Sequence, residues 1–585
     1  MLRLSGQMDL TKNKFSQSNK MKLFFSQLAY FFNSSRERNV GFLIKFSLVL
    51  LLLVALYTIL FHWLMLLEGE RYSWMTGIYW TLTVMSTLGF GDITFHSDIG
   101  RMFSILVLLS GMVFLLIILP FTFIQFFYAP WLEAQAKSRA PRRLPEETEG
   151  HVILTSFDAF TMHVAERLTK LHYAYAVLVG DLQRALEIHD LNYRVVVGDL
   201  GDPEAYRNLR ADKAALVVAN AGDMLNTNIV ATVREVSQKV PIVANADLDD
   251  SVDILQLAGC THVFQFMKLL GQSLARKTLG INVRDNCVGA IDSLLIAETP
   301  VMHTPLQGKT LAESRLRETT GLNIIGLWEK ERYIAPKPEA RLDTKTVLLV
   351  AGSRDQLEKY DRFFRGRPRS QEPVLILGGG RVGRAAAETL HEHGLACRII
   401  EKNKKLVLDE ERYVLGSGAD IHTLNRAGLQ AASSILITTH DDHTNIYLTI
   451  YLRKLRPDIQ IISRANTQRN VYKLYSAGAD QVMSYASIGA STIFNLLTPN
   501  DLQVLAEGLN LFRKTAPLQF EGKSLSECRI RKLTGCNLVA VNSGGARHIN
   551  PEPSYVFQPK DELFLVGSDE AQQEYLKQFS GKERN

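Results

Sequence analysis

The polar and apolar positions are distributed unevenly along the chain. From Phe46 to Leu67 the sequence FSLVLLLLVALYTILFHWLMLL carries no formal charge, and such a run predicts a helix long enough to cross a hydrocarbon layer about 30 Å thick. It lies too far from the N-terminus, and is too long, for the apolar part of a secretion signal. A second uncharged run, Met102 to Tyr128, predicts a second span, with Phe126, Phe127, Tyr128 and Trp131 gathered at its far end as interfacial anchors. Between them, Tyr72 to Phe95 is too short and too polar at its end to be a third span. It reads as a re-entrant segment, a helix from about Trp74 to Ser86 and then irregular chain, and irregular backbone at membrane depth requires burial in protein or an aqueous path beside it.

Beyond the second span the pattern changes to short β-branched runs, Val152 to Leu154, Arg194 to Val197, Ala215 to Val218 and Pro241 to Val243, alternating with helical stretches. That alternation predicts a doubly wound parallel sheet followed by a smaller α+β lobe. The unit occurs twice, offset by roughly 215 residues. Asp223-x-x-Asn226 returns as Asp442-x-x-Asn445, Ala258-Gly259 as Ala477-Gly478, Pro305-Leu306-Gln307 as Pro517-Leu518-Gln519, and Thr320-Gly321-x-Asn323 as Thr534-Gly535-x-Asn537.

Charge sets the topology. Lys12, Lys14, Lys20, Lys22, Arg36, Arg38 and Lys45 precede the first span and Lys137, Arg139, Arg142 and Arg143 follow the second, whereas only Arg71 and Arg101 lie between. Both termini are therefore expected in the cytoplasm and the loop outside. Neither span has basic residues at every third position, so voltage is not the expected gate. A net charge of +6 over 585 residues, without basic patches interleaved with aromatics, gives no reason to expect a nucleic-acid partner. Five cysteines without CxxC spacing predict neither a zinc site nor a disulfide framework.

Two motifs carry chemistry. In the outer loop, Thr87-Leu88-Gly89-Phe90-Gly91-Asp92 places glycines where an extended strand must alternate its backbone twist so that successive carbonyls face one axis. In the potassium-channel filter that this hexapeptide resembles, rings of such carbonyls from four chains replace the ion's water shell, and the resemblance implies that the Thr87 hydroxyl completes the innermost ring. The preceding helix points its negative C-terminal dipole at the same axis. In the second repeat, Gly378, Gly380 and Gly383 form G-x-G-x-x-G between strand and helix, with Arg381 and Val382 inside it and Glu401 roughly 20 residues on. That arrangement predicts a pyrophosphate at the helix N-terminus and a ribose on the acid, with NAD(H) first and ADP or ATP next.

The six-residue motif resembles the TVGYGD selectivity filter of potassium channels, and the repeats resemble the RCK domain, the TrkA-N and TrkA-C pair. The resemblance covers almost the whole chain and implies an α-helical membrane pore domain with two spans, a pore helix and a filter, followed by two α/β doubly wound Rossmann-like RCK domains, each with a small α+β C-terminal lobe. The implied boundaries are a cytoplasmic segment 1–40, pore domain 41–132, linker 133–149, first RCK lobes 150–285 and 286–370, and second RCK lobes 371–505 and 506–585. It further implies a ligand-gated potassium channel of the cell membrane, not an enzyme, a homotetramer whose eight RCK domains form a gating ring, and Ser417, Thr438 and Arg464 as additional nucleotide contacts. Leu88 for the usual Val and Phe90 for the usual Tyr remove a hydroxyl brace and imply a less firmly held filter at low potassium.

Several alternatives stay open at this stage. Gly111 and Pro120 are each a gating hinge, or Gly111 serves close helix packing. In the first repeat Ser156, Asp158 and Thr161 stand where the glycines would, so that lobe is expected to keep the sheet without binding a dinucleotide in the usual way. Asp247, Asp249, Asp250 and Asp253 are a Ca²⁺ site or simply a solvated helix start. His440 and His443 beside Asp441 and Asp442 are the residues an NAD-dependent oxidoreductase would use, and a transporter's regulatory subunit would share the cytosolic domains but not the first 130 residues.

Overall fold

The computed structural model describes residues 36–128, 132, 141–278, 282–291, 293–329, 332–364, 372–498, 502–506 and 508–579. The basic flank before Arg36, Trp131, Lys137 and Arg139 lie outside the described residues, as do most of segment 1–40 and half of linker 133–149. The chain divides into two units, Met1–Ala140 and Pro141–Asn585.

In the first unit a helix runs Arg36–Leu67, a short one Trp74–Met85 and a third from Asp98, whose α-helical part ends at Gly111 and continues through a wider π-helical stretch, Met112–Ile118. Lys45–Leu67 and Asp98–Thr122 are long and apolar enough to cross a membrane. Ser73 and Ser97 start the second and third helices by accepting hydrogen bonds from the Thr76 and Gly100 amides, which satisfies donors that a helix N-terminus leaves unpaired. The core is aromatic. Trp80 stacks on Phe61 with ring centres 4.9 Å apart and on Phe103 at 5.7 Å, and meets the edge of Phe95 at 5.3 Å. Leu48, Leu51, Leu52, Ile105, Leu116 and Ile117 are exposed, as helix faces toward lipid or neighbouring chains would be.

The second unit contains four sheets. Val152–Leu154, Tyr175–Val179, Val195–Val197, Leu216–Ala219, Ile242–Asn245 and His262–Phe264 form a six-stranded sheet in spatial order 3-2-1-4-5-6, all parallel. The strands from Val374–Leu377 to Gln481–Ser484 repeat that order. Central strands such as Val152–Leu154 and Val374–Leu377 are buried along their length, because helices cover both faces of a parallel sheet. Each parallel sheet is followed by a five-stranded antiparallel one. Strand Leu502–Ala506 belongs to the second of these, paired with Leu509–Thr515, so the lobe begins before the expected 505/506 boundary: the turn at Gly508, φ +71°, is a hairpin and not a domain junction.

The repeated residues do the same work twice. The Asp223 carboxylate accepts the Asp247 and Leu248 amides as Asp442 accepts those of Asn466 and Thr467. Arg234 Nε donates to the Gly259 carbonyl as Arg453 Nε does to Gly478.

The repeats also exchange a helix. Phe266–Arg276 of the first packs Leu270, Leu274 and Ala275 into the core of the second repeat's sheet, and Tyr485–Leu497 of the second packs Ala490, Ile493 and Phe494 into that of the first. The two antiparallel lobes share a core, with Trp328 and Leu349 beside Leu511 and Phe564. The repeats therefore form one body.

Candidate functional sites

The re-entrant helix ends at Met85, and the next residues take the conformation that the glycine spacing predicts. Thr87, Gly89 and Gly91 have φ of +63°, +43° and +75°, while Leu88 and Phe90 do not. Every second residue is thus left-handed, a state glycine adopts without penalty and threonine only when its surroundings impose it. The Gly89 amide donates to the Thr83 carbonyl (3.1 Å) and the Thr87 amide to Val84 (3.0 Å), tying the turn to the helix. Trp80 Nε1 donates to the Ile93 carbonyl at 3.1 Å, a tie just beyond Asp92 that needs no hydroxyl at position 90. Glu68, directly after the first span, accepts the His96 amide (3.0 Å), the Ser97 amide (2.9 Å) and the Ser97 hydroxyl. The His96 amide is the main reason its carboxyl is held down to about 2. Glu68 did not stand out in the sequence, although a lone acid closing a long apolar run was a usable signal.

Gly111 is helical, φ −60°, and a Cβ there would lie 2.3 Å from both the Met85 Cα and the Met85 carbonyl oxygen. Close approach of the second span to the end of the pore helix explains this glycine. The π-helical stretch Met112–Ile118 separates it from Pro120, the second residue of helix Leu119–Phe123, so the irregular part of the span lies between the two hinge candidates.

In the second repeat the three fingerprint glycines have three separate reasons. Gly378 turns at φ +112°. A Cβ on Gly380 would meet nothing within 4 Å, leaving the helix N-terminus open, and one on Gly383 would sit 1.9 Å from the Gly378 carbonyl oxygen. Glu401 is buried, accepting the Gly379 amide at 2.6 Å and the Asn403 amide at 2.7 Å, which leaves acceptor capacity for hydroxyls. The Thr438 hydroxyl donates to the Leu377 and Gly378 carbonyls, at 3.0 and 2.9 Å, and so shapes the turn.

A cavity of about 470 Å³ lies over this turn. Gly378, Gly380, Arg381, Val382, Glu401, Ser417, Thr438 and Arg464 line it, so all the predicted contacts except Gly383 converge. Met267, from the exchanged helix of the first repeat, also lines it, a contact that no local pattern signals. Arg464 is only 3% exposed and its Nε has no partner. Burial pulls its guanidinium down to about 10, with Asp442 opposing the shift. A buried cation with a donor unfilled, beside open amides at a helix N-terminus, fits a phosphate group.

The first repeat differs in kind. Asp158 accepts the Thr161 amide (2.8 Å) and the Asn220 side-chain amide (2.9 Å), so the protein's own carboxylate occupies the helix N-terminus where a phosphate would otherwise lie. Of the four acids, Asp247 pairs with Arg381 at 2.6 Å and Asp249 with Lys268 at 2.8 Å. Among the described residues no group of three or more potential ligands could hold a metal ion. Asp441 caps the helix that follows it and Asp442 accepts two backbone amides, so the acids beside His440 and His443 hold loops in place.

Comparison with known proteins agrees with this geometry. Residues 48–128 match the ion channel family, 152–266 and 374–485 the TrkA-N domain, and 296–365 and 512–580 the TrkA-C domain. Potassium channel protein 1 of Methanocaldococcus jannaschii is 24% identical over 327 residues, 54% of this chain and 96% of that protein. The TrkA potassium uptake protein of Mycobacterium tuberculosis is 27% identical over 212 residues, 34% of this chain and 95% of that one. The GsuK channel bound to NAD is 37% identical with a TM-score of 0.57, the match covering 93% of this chain and 99% of the other. A pore loop followed by two TrkA-type repeats, matched nearly end to end by a channel of the same order, means that this chain belongs to the family of potassium channels that carry RCK domains.

Proposed function

We propose that four copies of this chain form a potassium-selective channel of the cell membrane, with both termini cytoplasmic, opened or closed by an NAD-type nucleotide at the second repeat. The observation that carries the pore reading is the left-handed alternation at Thr87, Gly89 and Gly91, which suits a wall of carbonyls and serves no purpose in a closed hairpin. Leu88 and Phe90 are exposed in the single chain, as expected of residues that neighbouring copies would cover. A tetramer supplies eight RCK domains, and since each chain already pairs its two repeats by helix exchange, the ring is four such pairs.

The nucleotide reading rests on the cavity lined by Gly380, Arg381, Glu401 and Arg464 and on the GsuK relative, whose structure is described as bound to NAD. The glycine-turn amides, Arg381 and Arg464 would hold phosphate, and Glu401 would take ribose hydroxyls. The nearby acids are committed to structural hydrogen bonds, which favours a binding site over a catalytic one. If each of four sites preferred one state by about tenfold, the pore equilibrium would shift about 10⁴-fold, roughly 5.5 kcal/mol, enough to operate a gate through the covalent connection between the units. The test is potassium flux through vesicles containing only this protein. NAD⁺, NADH or ADP on the cytosolic face should change it, and Arg381→Gln with Glu401→Gln should abolish that response while leaving basal flux.

A further inference from the structure

A second cavity, of about 330 Å³, lies where the end of the exchanged helix, the first antiparallel lobe and the second parallel-sheet lobe meet. It shares no lining residue with the nucleotide cavity. Two polar side chains on its wall are more than nine-tenths buried and unsatisfied: Trp328, 9% exposed, has a free Nε1, and Gln481, 7% exposed, a free side-chain oxygen. Buried polar groups normally find partners, and leaving one bare costs on the order of 1–3 kcal/mol, so a pair facing one cavity points to a ligand.

Charge indicates which kind. The wall carries five acidic or basic side chains, Arg276, Lys277, Glu298, Lys345 and Asp480. Lys277 pairs with Glu298, and Asp480 pairs with Arg453 at 2.6 Å. Arg276 and Lys345 have no ion-pair partner among the described residues. The remaining charge is positive, while Val288, Val347, Val482 and Leu505 supply apolar wall. We propose that this cavity is a second regulatory site, which takes a small organic anion with a carboxylate or phosphate head on Arg276 and Lys345 and a hydrogen-bonding body against Trp328 and Gln481. Because the wall is drawn from both repeats, a bound anion would fix their relative positions and so act on the ring independently of nucleotide.

The experiment uses the full chain in lipid nanodiscs without nucleotide, titrated calorimetrically with 2-oxoglutarate, 3-phosphoglycerate and glucose 6-phosphate, and inorganic phosphate as the headgroup alone. At least one organic anion should bind saturably and more tightly than phosphate. The double variant Arg276→Gln, Lys345→Gln should weaken it tenfold or more, Trp328→Phe severalfold, and both should bind NAD⁺ as the unaltered protein does, which also shows that they fold. Binding of none of the three, or binding that survives the double variant, overturns the proposal and leaves the nucleotide reading untouched; loss caused by Glu401→Gln instead would place the anion in the nucleotide cavity and equally overturn it.

Discussion

Arg381, the first helical residue after the glycine turn of the second repeat, is ion-paired at 2.6 Å to Asp247 of the first repeat. The same guanidinium lines the cavity proposed for nucleotide, so a phosphate bound there would compete with Asp247 for it. The first repeat, whose own helix N-terminus is filled by Asp158, would thereby sense the neighbouring site.

Both partners of that pair are partly exposed, at 43% and 36%, and such pairs contribute less than about 1 kcal/mol. Asp247→Asn should therefore tighten nucleotide binding modestly, about two- to fivefold, while weakening its effect on flux. Calorimetric titration together with flux measurement checks both halves.

Arg464 is buried without full hydrogen bonding, a state that a bound anion would relieve. Arg464→Met should weaken nucleotide binding by roughly tenfold or more, as expected for loss of a charge-assisted hydrogen bond, without lowering the melting temperature measured in the absence of nucleotide. A lower melting temperature there would mean that the guanidinium serves the fold.

The carboxyl of Glu68, held at about 2, is depressed in the folded chain, so its contribution to the outer loop is complete above the unfolded value near 4.5 and is lost as pH falls from there toward 2. External acid should leave conduction unaltered above pH 5 and impair it below. Glu68→Gln should show impairment at neutral pH that acid does not deepen.

Trp80 ties the pore helix to the Ile93 carbonyl, just beyond the Thr87–Asp92 motif. Trp80→Phe removes one hydrogen bond per chain, about 0.5–1.5 kcal/mol each, and should hasten loss of conduction when external potassium is lowered. Phe90→Tyr should slow it, as recordings at stepped potassium concentrations would reveal.

At Gly111, an added methyl meets backbone at 2.3 Å, and overpacking of this kind typically costs about 1–3 kcal/mol per chain. Gly111→Ala should lower thermal stability and assembly yield. Pro120→Ala should preserve both and alter open probability, since the π-helical stretch before it can then become regular helix.

What was legible in the sequence was what a local pattern fixes: the two spans, the glycines at 89 and 91, the three-glycine turn with Glu401, and the duplication. The helix exchange was not, because periodicity shows that Phe266–Arg276 has an apolar face but not which sheet receives it. For the same reason Met267 in the nucleotide cavity and the Arg381–Asp247 pair were invisible, as both depend on contacts between repeats. Asp158 was readable as an obstacle to phosphate; that it caps the helix itself emerged only from its hydrogen bonds to Thr161 and Asn220.

Potassium selection by the backbone carbonyls of Thr87, Leu88, Gly89 and Phe90 is the proposal on which the other predictions depend. Its most direct test is the reversal potential across a planar bilayer containing only this protein, with potassium on one side and sodium on the other. The account predicts a potential that follows potassium alone and a loss of that preference in Gly89→Ala or Gly91→Ala. A reversal near zero in the unaltered protein, or preserved preference in both variants, would contradict it.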